Sequence, residues 1–148
     1  MQNSPITSTP DATQRYSLTL ANDVRQVSRL NDFVEQSARQ MGIAPDVVMS
    51  LRLAIEEAVV NAMTYAYPPD TPGTVSVELS LSGSLFQCII SDSGAPFDPT
   101  GVADADITLS AEERPIGGLG IFLVRQLMDG VAYERSSGNN VLKLSKNI

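Results

Sequence analysis

Histidine is absent from this chain of 148 residues, and cysteine occurs once, as Cys88. The absence of histidine excludes Ser/His/Asp and Cys/His nucleophile arrangements, imidazole metal ligands and a phosphoacceptor histidine within the chain. A single cysteine also excludes an intrachain disulfide. Because Cys88 lies in an apolar run, we expect a buried structural thiol rather than a zinc ligand.

Positive charge is scarce, with 10 Lys and Arg against 17 Asp and Glu and a formal net charge of −7. This balance argues against nucleic acid or an anionic membrane surface as a direct partner, because both are polyanions. The sequence contains no run of about 18 apolar residues, and its polar N-terminus shows no signal-peptide pattern. We therefore expect a cytoplasmic protein.

The length and the local composition predict one folded domain preceded by a short tail. Residues 1–14 are rich in Ser, Thr, Pro, Asn and Gln, which predicts a flexible N-terminal tail, and residues 15–148 form the domain. Residues 93–117 have no sustained period and are long for a loop, so they are interpreted as a mobile lid.

Apolar periodicity predicts alternating strands and helices along the domain. Leu85–Asp92 carries apolar residues on both faces, which favours a central strand. The predicted elements, in chain order, are a strand over 16–20, a helix from Asn22 or Asp23 to Gly42, a helix over 45–66, strands over 75–81 and 85–92, a helix over 118–129 and a hairpin over 132–146.

The second predicted helix is mainly apolar but contains two adjacent carboxylates and an asparagine. Glu57 and Asn61 lie one turn apart, about 40° from each other, on one border of its apolar stripe. Glu56 points about 100° away from Glu57 and follows Arg52 by one turn, which predicts a weak surface ion pair. On this helix alone a solvated edge is the favoured interpretation, because exposed Glu and Asn are common at helix borders, and the alternative is a catalytic and metal-binding pair.

The segment DSGAPFD, residues 92–98, directly follows the predicted central strand. Asp92 at the strand end can accept a hydrogen bond from a base amino group, and Gly94 allows the backbone to approach a flat ring. An ordinary turn explains the same residues, since Asp-Ser-Gly is common turn chemistry.

The segment IGGLGIF, residues 116–122, precedes an apolar helix. Glycines at 117, 118 and 120 let backbone amides face a concavity, and the positive end of the helix favours phosphate. The spacing fits neither a dinucleotide fingerprint nor a Walker loop, which would carry a lysine.

In this order, E-x-x-x-N on a helix, D-x-G-x-P-F after a strand and GGLG at a helix start resemble the N, G1 and G2 boxes of the GHKL ATP-binding fold. LAIEEAVVNAMTYAY, ISDSGAPFDP and GGLGIFLVRQLMD are most similar to the anti-sigma-factor serine kinases. The resemblance runs from about Tyr16 to Lys146. It implies an α+β, two-layer Bergerat sandwich in which helices cover one face of a mainly antiparallel mixed sheet.

The resemblance also implies roles for individual residues. Asn61 would give an amide oxygen to Mg²⁺, and Glu57 would orient or deprotonate the attacking hydroxyl. Asp92 would bind the adenine amino group of ATP, and Gly94 would allow close approach. The phosphate-binding segment would consist of Gly118, Leu119 and Gly120.

The activity implied by the resemblance is transfer of the ATP γ-phosphate to a serine of an anti-anti-sigma partner of the STAS type. The nucleotide-bound protein would alternatively hold a sigma factor inactive, and it would work as a homodimer. One alternative is a non-catalytic nucleotide-binding module, against which Glu57 argues because holding a nucleotide does not require it. Another is the catalytic domain of a histidine kinase, against which the missing histidine argues.

Three positions differ from what the family leads us to expect. Tyr65 stands where a histidine is frequent, and Asn139 and Asn140 stand where a threonine-bearing turn is common. Arg114, in the predicted lid, could neutralise a terminal phosphate, although an isolated lid arginine is more often solvated.

Overall fold

The computed structural model describes residues 13–101 and 118–148. The predicted tail, apart from its last two residues, lies outside the described residues, and so do Arg114 and the part of the predicted lid beyond Gly101.

The described residues form five strands and three α-helices, close to the predicted elements. Pro45, a residue tolerated in the first helical turn, begins the longest helix, and the sequence Pro68-Pro69 follows its end. The elements are β1 (Gln14–Ala21), α1 (Val27–Gln40), α2 (Pro45–Tyr65), β2 (Thr74–Ser82), β3 (Leu85–Asp92), α3 (Gly118–Leu127), β4 (Gly130–Ser136) and β5 (Asn139–Asn147).

The predicted first helix begins as a 3₁₀ turn over Val24–Gln26 before it becomes α1. Asp23 caps this turn, because its Oδ1 accepts a hydrogen bond from the Arg25 amide at 2.9 Å. The cap predicted from the sequence is therefore confirmed at Asp23.

The strands form one sheet in the order β1-β2-β3-β5-β4. Every described pairing is antiparallel, so the mixed sheet that we expected is antiparallel throughout its described strands. β3 is central, as predicted, but only one of its faces is fully covered. Cys88 and Ile90 are buried on the helix side, whereas Ile89 on the opposite face is half-buried among polar neighbours.

The core lies between the sheet and the helices. α2 contributes most to it, and its buried residues are Val48, Leu51, Ala54, Ile55, Ala58, Val59, Asn61, Ala62 and Met63. The Cys88 thiol is fully buried, and burial raises its pKa, which confirms the predicted inert thiol. No helix in the described ranges has the length and apolar character needed to cross a membrane.

The contact between α1 and α2 corrects the predicted partner of Glu56. Arg52 forms its ion pair with Glu35 of α1, at 3.4 Å between Nη1 and Oε2, rather than with Glu56. Glu56 accepts a hydrogen bond from Asn31 Nδ2 of α1 at 3.0 Å. Arg52 and Glu56 lie on the face of α2 that packs against α1. Each therefore bonds to a side chain of α1, and the ion pair expected between them within α2 does not form.

Candidate functional site

A pocket opens between α2 and the sheet where β3 and β5 meet. Two small side chains of α2, Ala58 and Ala62, leave room for it, and most of its wall is apolar. The lining residues are Ala58, Ala62, Ile90, Asp92, Phe97, Pro99, Tyr133, Asn140 and Leu142. Of these, only Asp92 was predicted as a site residue.

Asp92, the last residue of β3, supplies a buried carboxylate to this pocket. Its Oδ1 accepts two hydrogen bonds, from the Gly94 amide at 2.8 Å and from Asn140 Nδ2 at 2.9 Å. A carboxylate has further acceptor capacity at its second oxygen. The pocket can therefore present a hydrogen-bond acceptor to a ligand inside largely apolar walls.

The residues after Asp92 are tied to the rest of the fold, which corrects the start of the predicted lid. The Ser93 amide donates to the Tyr67 hydroxyl at 3.2 Å, and the Gly94 carbonyl accepts from Arg135 Nη1 at 2.8 Å. Farther along, residues 99–101 form a 3₁₀ turn whose Thr100 carbonyl accepts from Arg125 Nη2 of α3 at 2.8 Å. These contacts anchor the described part of the predicted lid, residues 93–101, to α2, α3 and β4 or to the segments beside them.

The predicted pair on α2 consists of one buried and one half-buried side chain. Asn61 is buried, although it was predicted on the border of the apolar stripe, and among the described residues its Nδ2 has no hydrogen-bond partner. Glu57, one turn earlier, is half-buried. Burial, and secondly the adjacent Glu56 carboxylate, raises the pKa of the Glu57 carboxyl.

Buried polar and charged groups of this kind are unfavourable unless a partner is supplied. A buried donor without an acceptor costs roughly 1–3 kcal/mol, and a carboxylate near a second carboxylate is disfavoured as well. Unsatisfied or strained polar groups of this kind are common at ligand-binding sites. A ligand with anionic oxygens would accept from the Asn61 nitrogen, and a cation would relieve the carboxylate repulsion.

The predicted phosphate-binding segment is the first turn of α3. Gly118, Leu119 and Gly120 are helical from the first residue of α3, so their amides belong to the N-terminal turn, where N–H groups have no partner within the helix itself. α3 packs against α2. The fold therefore brings the helix start and the α2 pair to the same layer of the molecule.

No group of three or more metal-ligating acids or cysteines occurs within residues 13–101 and 118–148. A divalent ion at this site would depend on Asn61 and on oxygens from the ligand and water. That donor set suits Mg²⁺, which keeps several waters and binds substrate phosphates with few protein ligands.

Of the positions that differ from the expected family pattern, one lines this pocket and one packs beside it. Tyr65, one turn after Asn61, packs against the pocket residue Phe97 with ring centroids 5.6 Å apart and an interplanar angle of 41°. Asn140 contacts Asp92 directly. Sequence reasoning missed Phe97, Tyr133 and Asn140 as site residues. The i, i+4 spacing of Ala58 and Ala62 was the available signal for a cavity beside α2.

The sequence profile of the histidine kinase-like ATPase domain matches residues 20–146. The serine-protein kinase RsbW of Bacillus cereus (strain AH820) is 31% identical over 109 residues, which cover 71% of this chain and 68% of the relative. The serine-protein kinase RsbW of Bacillus licheniformis is 32% identical over 108 residues, with 70% and 68% covered.

A crystal structure of the RsbU and RsbW domains of a Mycobacterium tuberculosis protein is similar to this fold, with a TM-score of 0.66 at 15% identity. The match covers 90% of this chain and 32% of that one, so the chain spans about a third of its length. At this identity the likeness concerns the fold alone.

Proposed function

Because this chain belongs to the anti-sigma-factor serine kinase family of histidine kinase-like ATPases, we propose that it transfers the γ-phosphate of ATP to a serine of a partner protein. The observation that carries the proposal is the α2 pair. Glu57 has a carboxyl of raised pKa one turn from the buried amide nitrogen of Asn61, which has no hydrogen-bond partner among residues 13–101 and 118–148. Both lie on the helix that also forms the pocket at Asp92.

The pocket at Asp92 would hold the adenine ring. Its apolar walls, which include Ile90, Phe97 and Leu142, suit a flat aromatic base. The Asp92 carboxylate would accept a hydrogen bond from the exocyclic amino group. A base with a carbonyl in place of this amino group would set its oxygen against the Asp92 carboxylate, and neither group could donate. The site would therefore favour adenine.

Asn61 would hold the metal and the first turn of α3 would hold the phosphates. The Asn61 amide can give its oxygen to Mg²⁺ and its nitrogen to a phosphate oxygen, an acceptor that no described residue supplies to this nitrogen. The N-terminal amides at Gly118, Leu119 and Gly120 would donate to phosphate oxygens. When bound, Mg²⁺ would neutralise charge on the triphosphate.

Glu57 would serve as the base for the acceptor serine. Its carboxylate would accept the hydroxyl proton while the serine oxygen forms a bond to the γ-phosphorus. The bond from that phosphorus to the β–γ bridging oxygen would break, and its electron pair would leave with ADP. A raised pKa improves Glu57 as a proton acceptor, because catalytic groups work best with a pKa closer to the working pH.

The proposed phosphate acceptor is an anti-anti-sigma protein of the STAS type. The proposed second partner is a sigma factor, held by the nucleotide-bound form, and the proposed assembly is a homodimer. Membership of the family supports these proposals. Binding assays with each purified partner, with ATP and with ADP, would test them separately, and light scattering would test the dimer.

The test of the activity is single-turnover transfer from labelled ATP to the serine of a candidate anti-anti-sigma protein. We expect Mg²⁺-dependent label on the partner, and loss of the label when the acceptor serine is replaced by alanine. ATP binding without transfer to any candidate would instead favour a non-catalytic nucleotide-binding module.

A further inference from the structure

Asn140, the second residue of β5, uses its full hydrogen-bonding capacity beside the pocket. Its side chain is buried. The amide nitrogen donates to one side chain and one backbone carbonyl, and the amide oxygen accepts from one backbone amide and one hydroxyl. Nδ2 donates to Asp92 Oδ1 at 2.9 Å and to the Ala95 carbonyl at 2.8 Å, and Oδ1 accepts from the Phe97 amide at 3.1 Å and from the Tyr133 hydroxyl at 2.5 Å.

These four bonds allow only one orientation of the Asn140 amide. A rotation by 180° would set the amide nitrogen against the Phe97 N–H and the amide oxygen against the Ala95 carbonyl. Those two backbone groups cannot exchange donor for acceptor. In this orientation the Tyr133 hydroxyl, which lies on β4, donates a second hydrogen bond to the Asn140 oxygen and helps to hold the side chain in place.

The orientation of Asn140 determines what Asp92 offers to the pocket. Asp92 Oδ1 is occupied by Asn140 Nδ2 and by the Gly94 amide. No described residue donates to Oδ2 of Asp92, and the side chain lines the pocket. The bonds to Oδ1 hold the carboxylate in place and leave Oδ2 as the acceptor for a ligand.

We propose that Asn140 and Tyr133 are positioning residues that orient the Asp92 carboxylate toward the amino group of the bound base. The inference rests on the proposed function, because it takes adenine as the ligand of this pocket. Both residues line the pocket, but the proposed role acts through Asp92 and does not depend on their contact with the base. Tyr133 acts on Asn140, Asn140 acts on Asp92, and the discrimination for the amino group is made at Asp92.

The test compares ATP with purine riboside triphosphate, which lacks the 6-amino group, by calorimetric titration in the presence of Mg²⁺. Tyr133→Phe removes only a hydroxyl, so the fold should persist. We expect ATP to bind roughly 3–10-fold more weakly, the usual size of one net hydrogen bond, while the affinity for the analogue stays unchanged. Asn140→Ala should reduce the preference for ATP further.

A matched control is Tyr16→Phe, the same change on β1 at the opposite edge of the sheet, where the ring also packs against the core. It should leave both affinities unchanged. Equal weakening of both nucleotides by Tyr133→Phe, or an unchanged preference for ATP, would overturn the positioning role alone. If the unmodified protein binds ATP and the analogue equally well, the proposed role of Asp92 in binding the amino group is itself wrong.

Discussion

Gly94 lies against the end of α2: a β-carbon at this position would be 2.3 Å from the carbonyl oxygen of Ala66. The same carbonyl accepts a hydrogen bond from the Ala95 amide at 2.7 Å. No β-carbon tolerates an oxygen at that distance, so the connection after β3 can reach α2 only with glycine here. The expected contact of Gly94 with the adenine ring stays a prediction, and packing against α2 already requires the glycine.

Gly94→Ala should therefore destabilise the protein without nucleotide. We expect a loss of roughly 1–3 kcal/mol in the free energy of unfolding, the usual cost of overpacking, measured by urea denaturation. Gly101→Ala is the control, because its β-carbon would meet Asp98 Oδ2 at 3.6 Å, an ordinary contact. Equal stability of the parent and Gly94→Ala would show that the segment can move away from α2.

Asp92→Asn should weaken ATP binding by roughly 1–3 kcal/mol, because the amide would set a donor against the adenine amino group. The fold should persist, since an amide oxygen can still accept from Gly94 and Asn140. Calorimetry and a thermal melt of the same sample separate the two effects. An unchanged affinity would remove Asp92 from the adenine site.

Glu57→Gln should bind ATP-Mg²⁺ almost normally and lose roughly 10²–10⁴ in the rate of phosphotransfer, the usual contribution of a general base. The neighbouring Glu56→Gln is the control, because the new amide oxygen can still accept the hydrogen bond from Asn31. Single-turnover transfer and nucleotide titration measure both variants. Should Glu56→Gln be the inactive variant instead, the assignment of roles to the two acids would be reversed.

Asn61→Ala should abolish the effect of Mg²⁺ on ATP binding. The parent should bind ATP more tightly with Mg²⁺ than with a chelator, whereas the variant should bind weakly under both conditions. Because no described residue accepts from the buried Asn61 nitrogen, its removal should lower the free energy of unfolding of the nucleotide-free protein by about 1 kcal/mol at most. A retained dependence on Mg²⁺ would mean that another residue holds the metal.

The stability of the protein should depend on pH through Glu57. Its raised pKa means that the folded state holds this proton more tightly than the unfolded state, so stability falls as pH rises through the raised pKa. Glu57→Gln removes this loss. The melting temperature of the variant should exceed that of the parent at neutral pH, and the difference should vanish below about pH 4. A difference independent of pH would contradict this cause.

Local patterns in the sequence were sufficient for the elements and for the family. Leu85–Asp92 was predicted with the bounds that the structure has, because its apolar run ends at turn residues on both sides. α2 was predicted to within one residue of its end, since prolines mark both of its boundaries. The three boxes rest on short spacings within single segments, so the family resemblance did not require the tertiary structure.

Contacts between segments distant in sequence required the folded structure. Arg52 pairs with Glu35 across two helices, and Asn140 meets Asp92 from a strand 48 residues later. The clash that makes Gly94 necessary likewise comes from another segment. Helix and strand periods report which face a residue occupies. They do not report which side chain of another element faces it, and that partner decides whether a buried polar group is satisfied, positioned for a ligand or left without an acceptor.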